Sequence, residues 1–315
     1  MSSPSAIADP SRLERLQESL ARRLGEPGVR VLPFREGVDC WVDRAEWPGG
    51  PPSVIRSARI ERLMTRYEGL VDFGAEIEKQ VVVASLFRDH GIPTPAVFDW
   101  SRSSDPKTEP SWMLLEYVDQ EPADWNDPAL QLDLGTIARR IHGIKTPPDL
   151  KALRPPSSRW GAWITDRILA RLAAAATYLD IPDLERVRHA VEAVAVTREA
   201  HAQHLLHLDL RPPNLVVDHN RIVSVLDLAN TIIGDPWLEL ARVRGCGLLT
   251  QAFLQGYGCD ETDTDMGEAL DVYELDLSAL LVVVSREEFD DPHLHVEMSG
   301  RTRFLVERVL ARAKI

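Results

Sequence analysis

Three side chains in the second half of this sequence have the types and spacing to gather a divalent cation and a proton at one place: Asp209, Asn214 and Asp227. Asp209 and Asn214 lie in His207-Leu208-Asp209-Leu210-Arg211-Pro212-Pro213-Asn214, and Asp227 in Val225-Leu226-Asp227-Leu228-Ala229. A hard cation such as Mg2+ takes oxygen ligands, usually one or two carboxylates together with substrate phosphates. Asn214 and Asp227 offer oxygens of that kind, which leaves Asp209 to accept a proton. The set is the chemistry of a magnesium–nucleotide site.

The elements that must position these groups are short. Leu215-Val216-Val217 and Ile222-Val223-Ser224-Val225-Leu226 are aliphatic or β-branched runs separated by the polar turn Asp218-His219-Asn220-Arg221, which predicts a β-hairpin. A hairpin brings its end back beside its start, so residues before the first strand and after the second converge. Asp218 is read as a turn residue. Asp235, in Gly234-Asp235-Pro236, is read as a loop brace bonded to backbone.

The order His207, Asp209, Leu210, Asn214 and then Asp227 matches the kinase set His-Arg-Asp-Leu-x-x-x-Asn followed by Asp-Phe-Gly, with Leu208 in place of the Arg and Leu228-Ala229 after the second acid. Together with Gly234-Asp235-Pro236 and Leu238-Glu239-Leu240-Ala241, the chain resembles the aminoglycoside phosphotransferase and choline kinase-like family, whose members share the protein-kinase fold and phosphorylate small molecules. The resemblance implies that Asp209 is the catalytic base, that Asn214 and Asp227 hold Mg2+, and that His207 supports the loop. It covers most of the chain from about Val29 onward and is specific across His207 to Ala241. No Ala-Pro-Glu follows, which argues against a protein kinase.

The resemblance also assigns the first half. Short strands are predicted at Val29–Leu32, Gly37–Asp43 and Ser53–Arg56, with a turn at Trp47-Pro48-Gly49-Gly50-Pro51-Pro52. Position by position, Arg56 falls where the family places a strand cation for the nucleotide phosphates, usually a lysine. Gln80 aligns with the helix glutamate that orients that cation, on a helix predicted from Phe73 to about Asp89; Glu76, one turn earlier, is the alternative. Only Gly37 stands near the expected phosphate-covering loop. Val97–Trp100 and Trp112–Val118 read as two more strands. The second resembles the linker whose main chain binds the adenine edge, which makes Glu116, Tyr117 and Val118 purine-site candidates.

Further along, helices are predicted over Leu132–His142, Ile164–Leu179, Pro182–Ala202, Leu238–Gly256, Gly267–Ser285 and Pro292–Lys314, and an additional amphipathic helix over residues 10–24. His142 is expected to pack rather than ligate. An acidic run, Asp260-Glu261-Thr262-Asp263-Thr264-Asp265, would attract a cationic acceptor if it lined a pocket, and is otherwise a solvated surface.

Composition narrows the class. The 315 residues are 44% hydrophobic and 27% charged, as in a soluble globular chain. A net charge of −13 opposes nucleic-acid binding. The three cysteines lack metal or disulfide spacing, and the N-terminus lacks the basic and apolar regions of a signal peptide. No run is long enough to span a bilayer. A cytoplasmic protein without membrane or nucleic-acid partners is expected.

These readings give an α+β, bilobal protein-kinase-like fold: a helical extension at 1–28, a small antiparallel sheet lobe at 29–118 that covers the nucleotide, and a larger, mainly helical lobe at 119–315 for catalysis and acceptor binding. The implied reaction is transfer of the γ-phosphoryl group of ATP or GTP, with Mg2+, to a hydroxyl of a small molecule. The competing expectation is a nucleotide-binding regulator without catalysis, motivated by Arg56, Gln80 and the glycine-poor cover loop.

Overall fold

The structure is a computed structural model, described here for residues 10–37, 40–104, 109–147, 150–157, 159–259 and 264–312. The chain divides into two compact units, Met1–Met64 with Leu70–Gln120, and Thr65–Gly69 with Glu121–Ile315.

The first unit is built on an antiparallel sheet of five strands, β1 (Arg30–Glu36), β2 (Cys40–Glu46), β3 (Ser53–Ala58), β6 (Val97–Ser101) and β7 (Trp112–Glu116), in the order β1-β2-β3-β7-β6. Side chains alternate across the strands. Ala45, Ile55, Trp112 and Leu114 face helix α1 (Pro10–Leu24), where they bury Leu16 and Leu20. The same face encloses an ion pair, Arg12 to Asp43 at 2.6 Å. Arg56, one residue along from Ile55, therefore points to the opposite face. Helix α2 (Phe73–Asp89) packs there, its first turn capped by Asp72, which accepts from the Ala75 amide at 2.9 Å. A hairpin not foreseen from the sequence, β4 (Arg62–Thr65) with β5 (Gly69–Asp72), joins β3 to α2. Its strands are four residues each and lack a buried face, so they carry little apolar periodicity to read.

The second unit holds helices α3 (Pro128–His142), α4 (Trp160–Ala175), α5 (Leu184–Thr197), α6 (Pro236–Gly245), α7 (Gln251–Tyr257), α8 (Thr264–Glu287) and α9 (Pro292–Arg312), with two small hairpins, β8 (His204–Leu206) with β11 (Ile232–Gly234) and β9 (Leu215–Asp218) with β10 (Arg221–Val225). Helix α8 packs on α4, α6 and α9 around fully buried Ile164, Ile168, Leu275, Ala279 and Leu305. The single helix expected over Leu238–Gly256 is two. Gly247 takes a left-handed φ of 73° and Leu248 bonds back to the Val243 carbonyl at 3.0 Å, ending α6; Thr250 then caps α7. The acidic run lies outside the described residues except for Thr264 and Asp265, which open α8. Among the described residues no helix is long and apolar enough to cross a membrane.

Candidate active site

The hairpin forms as the sequence predicts. His219 and Asn220 occupy its turn at φ 47° and 59°, the left-handed pair that a two-residue turn requires, and Asp218 pairs with Arg221. Beyond the paired residues the Leu226 amide donates to the Asn214 carbonyl at 2.8 Å. Asn214 and Asp227 thus flank the open end of one hairpin. The Asn214 amide nitrogen donates to the Asp209 carboxylate at 2.5 Å and to the Asp209 carbonyl at 3.1 Å. This orientation turns the Asn214 carboxamide oxygen away from Asp209. With the Asp227 carboxylate it supplies hard oxygen donors of the kind Mg2+ takes, so the residues present fit such an ion. The other Asp209 oxygen accepts from Arg211 Nε at 2.7 Å.

The loop between β8 and β9 is held under strain. Leu208 is buried and has a φ of 63°, unfavourable for a residue with a branched side chain. Its conformation is fixed from both sides. Glu239 on α6 accepts from the His207 amide at 3.0 Å and the Leu208 amide at 2.6 Å, and Arg242, one turn on, donates to the Leu208 carbonyl at 2.8 Å. His207 adds a third tie: the Asp209 amide donates to its Nδ1 at 3.1 Å, which makes Nε2 the donor to the Leu226 carbonyl at 3.0 Å. One imidazole therefore joins Asp209 to the segment preceding Asp227. The support expected of His207 is this pair of bonds.

Glu239 is fully buried and also accepts from His142 Nε2 at 2.8 Å. Burial alone would push its carboxyl up, but the hydrogen bond and charge of His142, with the bond from the His207 amide, hold it below the ordinary range. His142 in turn meets the Tyr257 hydroxyl at 2.7 Å. That contact depends on close helix packing: a Cβ on Gly135 would stand 2.0 Å from the Phe253 carbonyl oxygen, and one on Gly256 2.1 Å from that of Leu132. His142 is thus neither a ligand nor simple packing but one link of a buried polar chain.

Two further acids organise the surroundings. Asp235 accepts two bonds from Arg198, at 2.7 and 2.9 Å, one from the Tyr273 hydroxyl at 2.9 Å and one from the Trp237 amide at 3.2 Å, so it caps α6 while bracing the loop. On α8, Asp276 pairs with Arg167, Arg171 and Arg242 at 2.9, 2.8 and 2.9 Å. Burial works against the Asp276 charge, and the three arginines more than offset it, holding the carboxyl well below its ordinary range. Burial and the neighbouring Arg167 bring Arg171 down to about 10. The other buried α8 acids are shared likewise, Asp271 among Arg244, Arg308 and Arg312, and Glu274 between Arg244 and Arg301.

In the first unit Arg56 and Gln80 meet: Arg56 Nη1 donates to Gln80 Oε1 at 3.1 Å, and Nη2 approaches Cys40 Sγ at 3.5 Å. On that face Val42 and Val54 are half-buried across β2 and β3, with Leu115 beside Val54 on β7. The linker candidates divide. The Glu116 amide donates to Ala96 at 2.9 Å and the Tyr117 amide to Pro52 at 3.0 Å, so both are occupied within the sheet. The Tyr117 ring packs edge-on against Phe34, with the Arg44 guanidinium over both. Among the described residues none accepts from the Val118 amide.

Glu239, Arg242 and Arg211 carry functional contacts that sequence reasoning missed. The available signal was an acid and an arginine inside Trp237-Leu238-Glu239-Leu240-Ala241-Arg242-Val243, a run otherwise apolar enough to be buried.

A five-stranded antiparallel sheet followed by a mainly helical unit carrying this loop and hairpin is a protein-kinase-like α+β fold. The chain belongs to the phosphotransferase enzyme family, whose model matches residues 57–269. It is a small-molecule kinase with an alcohol group as acceptor. A comparison with curated protein sequences finds no match. Among solved structures, the chain is similar to a protein of Haemophilus somnus 129PT assigned as a fructosamine-3-kinase, with a TM-score of 0.69 and 15% identity over 95% of this chain and 98% of that one. It is also similar to a thermostable mutant of aminoglycoside phosphotransferase APH(4)-Ia in a ternary complex with ADP and hygromycin B, with a TM-score of 0.65 and 18% identity over 95% and 99%. A third is the gentamicin complex of APH(2")-IIa, with a TM-score of 0.61 and 13% identity over 96% and 97%.

Proposed function

We propose that the protein transfers the γ-phosphoryl group of ATP or GTP to a hydroxyl of a small molecule in the cytoplasm, with Asp209 as catalytic base. The observation that carries this reading is Asn214, whose side-chain nitrogen is spent on Asp209, which turns its side-chain oxygen away from that carboxylate, and whose main-chain carbonyl accepts from Leu226, the residue preceding Asp227. One amide thus separates a proton-accepting carboxylate from a cation-binding pair. Complexes of APH(4)-Ia with ADP or AMP-PNP and hygromycin B support a nucleotide and a small hydroxyl compound as the two substrates.

In the reaction, Asp209 takes the proton of the acceptor hydroxyl as its oxygen bonds to the γ-phosphorus and the bond to the leaving nucleotide oxygen breaks. Asn214 Oδ1 and the Asp227 carboxylate would hold Mg2+, which when bound neutralises charge on the phosphates. Phosphoryl transfer demands mostly positioning and charge, with little covalent work from the protein. Arg56, oriented by Gln80, steadies the non-transferring phosphates, and its planar fork suits them. The Val118 amide with the Glu116 carbonyl offers the donor and acceptor pair that a purine edge requires, while Tyr117 serves the linker through its packing. Because Gln80 does hold the strand cation, the substitutions that motivated a non-catalytic regulator leave this side organised.

Nucleotide titrations test the metal assignment without turnover. Wild-type affinity for AMP-PNP should fall at least about tenfold when Mg2+ is removed. Asp227→Ala and Asn214→Ala should flatten that dependence. If Asp227→Ala keeps it whole, the cation is held elsewhere.

A further inference from the structure

The charges around Asp209 bear on the chemical class of the acceptor. A polycationic acceptor needs carboxylates with bonding capacity to spare. Among the described residues, the acids that reach this region from the packed elements are Glu68, between β4 and β5, and Glu274 and Asp276 on α8, and each is already shared by two or three arginines. From the loop itself comes Arg211. Its Nε is spent on Asp209, its side chain is 47% exposed, and among the described residues neither Nη group has a hydrogen-bond partner. In a chain of net charge −13, the position beside the reacting hydroxyl is therefore occupied by an outward-facing, permanently charged fork.

We propose that the acceptor carries an oxyanion group, a carboxylate or a phosphate, and that the two Nη groups of Arg211 bind it. The proposal rests on the phosphotransferase reading with Asp209 as base. Guanidinium and oxyanion match as two parallel charge-assisted bonds. With Nε on Asp209 and both Nη groups on the acceptor, one planar group sets the spacing between anchor and base, so the hydroxyl is delivered where its proton can leave. A neutral analogue lacks the anchor, and an amine is repelled. Arg211 is a specificity-determining residue in this account; the phosphorus–oxygen bond made, the bond broken and the destination of the proton are those already given.

The test uses the full chain with Mg2+ and ATP and acceptors that share one skeleton and differ in charge, such as glucose, glucuronate, glucose 6-phosphate and glucosamine, beside hygromycin B and gentamicin. Turnover is expected with anionic members. Arg211→Gln should raise their KM about tenfold or more, leave the KM for ATP unchanged and move kcat less than KM; Arg211→Lys should recover part of the loss. Preference for amines, or an Arg211→Gln defect confined to kcat or to the KM for ATP, would show that the fork serves another group and overturn the proposal.

A second measurement does not depend on choosing the right skeleton. The Cys246 thiol is exposed and within electrostatic reach of Asp209 and Arg211. In the complex with AMP-PNP and Mg2+, inorganic sulfate should slow its alkylation, read by mass spectrometry, relative to chloride at equal ionic strength, and should not do so in Arg211→Gln. Equal rates with the two anions in the wild type overturn the proposal. Protection through Arg211 in a protein that consumes no ATP with any acceptor would instead keep the anion site and remove the phosphotransferase reading.

Discussion

The two sets of chemistry-bearing residues are held by opposite means. In the second unit the loop of Asp209 and Asn214 is fixed by fully or nearly buried ionised groups: Glu239 on two amides, Arg242 on a carbonyl, Asp276 on Arg242. In the first unit the strand residue Arg56 donates to a neutral amide at 3.1 Å and approaches a thiol at 3.5 Å. A base and metal ligands must present lone pairs in fixed directions, and a small displacement there is costly. A cation for phosphates needs only charge within reach, so lysine and glutamate can give way to arginine and glutamine. The rigid side is where substitution should be least tolerated.

The most severe break is at the proposed base. Asp209→Asn keeps size and shape but cannot take a proton, and kcat should fall by about 10² to 10⁴, with affinity for Mg2+-AMP-PNP changed by less than about threefold on that scale. Turnover within tenfold of wild type would place the base elsewhere.

Next is the clamp beneath it. Glu239→Gln leaves one acceptor oxygen where two are needed for the His207 and Leu208 amides, and it uncouples His142. Breaking a buried charged group from its partners costs about 3–5 kcal/mol, measured by denaturant unfolding. In the fraction still folded, kcat should drop while the KM for nucleotide is nearly retained, because Leu208 can relax from its left-handed conformation.

The same comparison explains what could be read from residues alone. The hairpin that sets Asp227 beside Asn214 in the chain's path was legible because turn chemistry is local, and Asn214 meets Asp209 within the same short segment. Arg56 and Gln80 needed the resemblance to be located, and only the structure shows Gln80 bonded to Arg56. Glu239, His142 and Tyr257 were illegible: their chain spans α3, α6 and α7, and no local pattern announces contacts between residues 97 or 115 positions apart. The break between α6 and α7 was missed because apolar periodicity continues through Gly245-Cys246-Gly247 to Leu248 and hides the left-handed glycine.

Acid should separate the buried acids from the rest by a smaller effect. Glu239 and Asp276 have folded-state affinities for protons below their ordinary values of 4.5 and 3.8. A group whose pKa is lowered on folding contributes stability that is present above its ordinary value and is lost as pH falls through its folded one. The unfolding free energy should therefore decline from about pH 5 downward. Asp276→Asn should be less stable than wild type at neutral pH and show a shallower decline between about pH 5 and 3. An unchanged slope would mean that Asp276 is not held below its ordinary range.

The smallest effect decides how the strand-cation side is to be understood. If Gln80 is a weakened substitute for an acid, Gln80→Glu should improve matters: a new ion pair would fix Arg56 and lower the KM for nucleotide. The geometry argues the reverse. Gln80 is 6% exposed, so a carboxylate there loses hydration, and the pair it forms would neutralise part of the charge that Arg56 directs at phosphate. The amide holds the guanidinium by one bond and adds no negative charge beside it. The KM for nucleotide should therefore rise about two- to fivefold in Gln80→Glu, with kcat within about twofold, since desolvation offsets the gain from a buried ion pair. A fall in KM would show that the neutral partner is the poorer one.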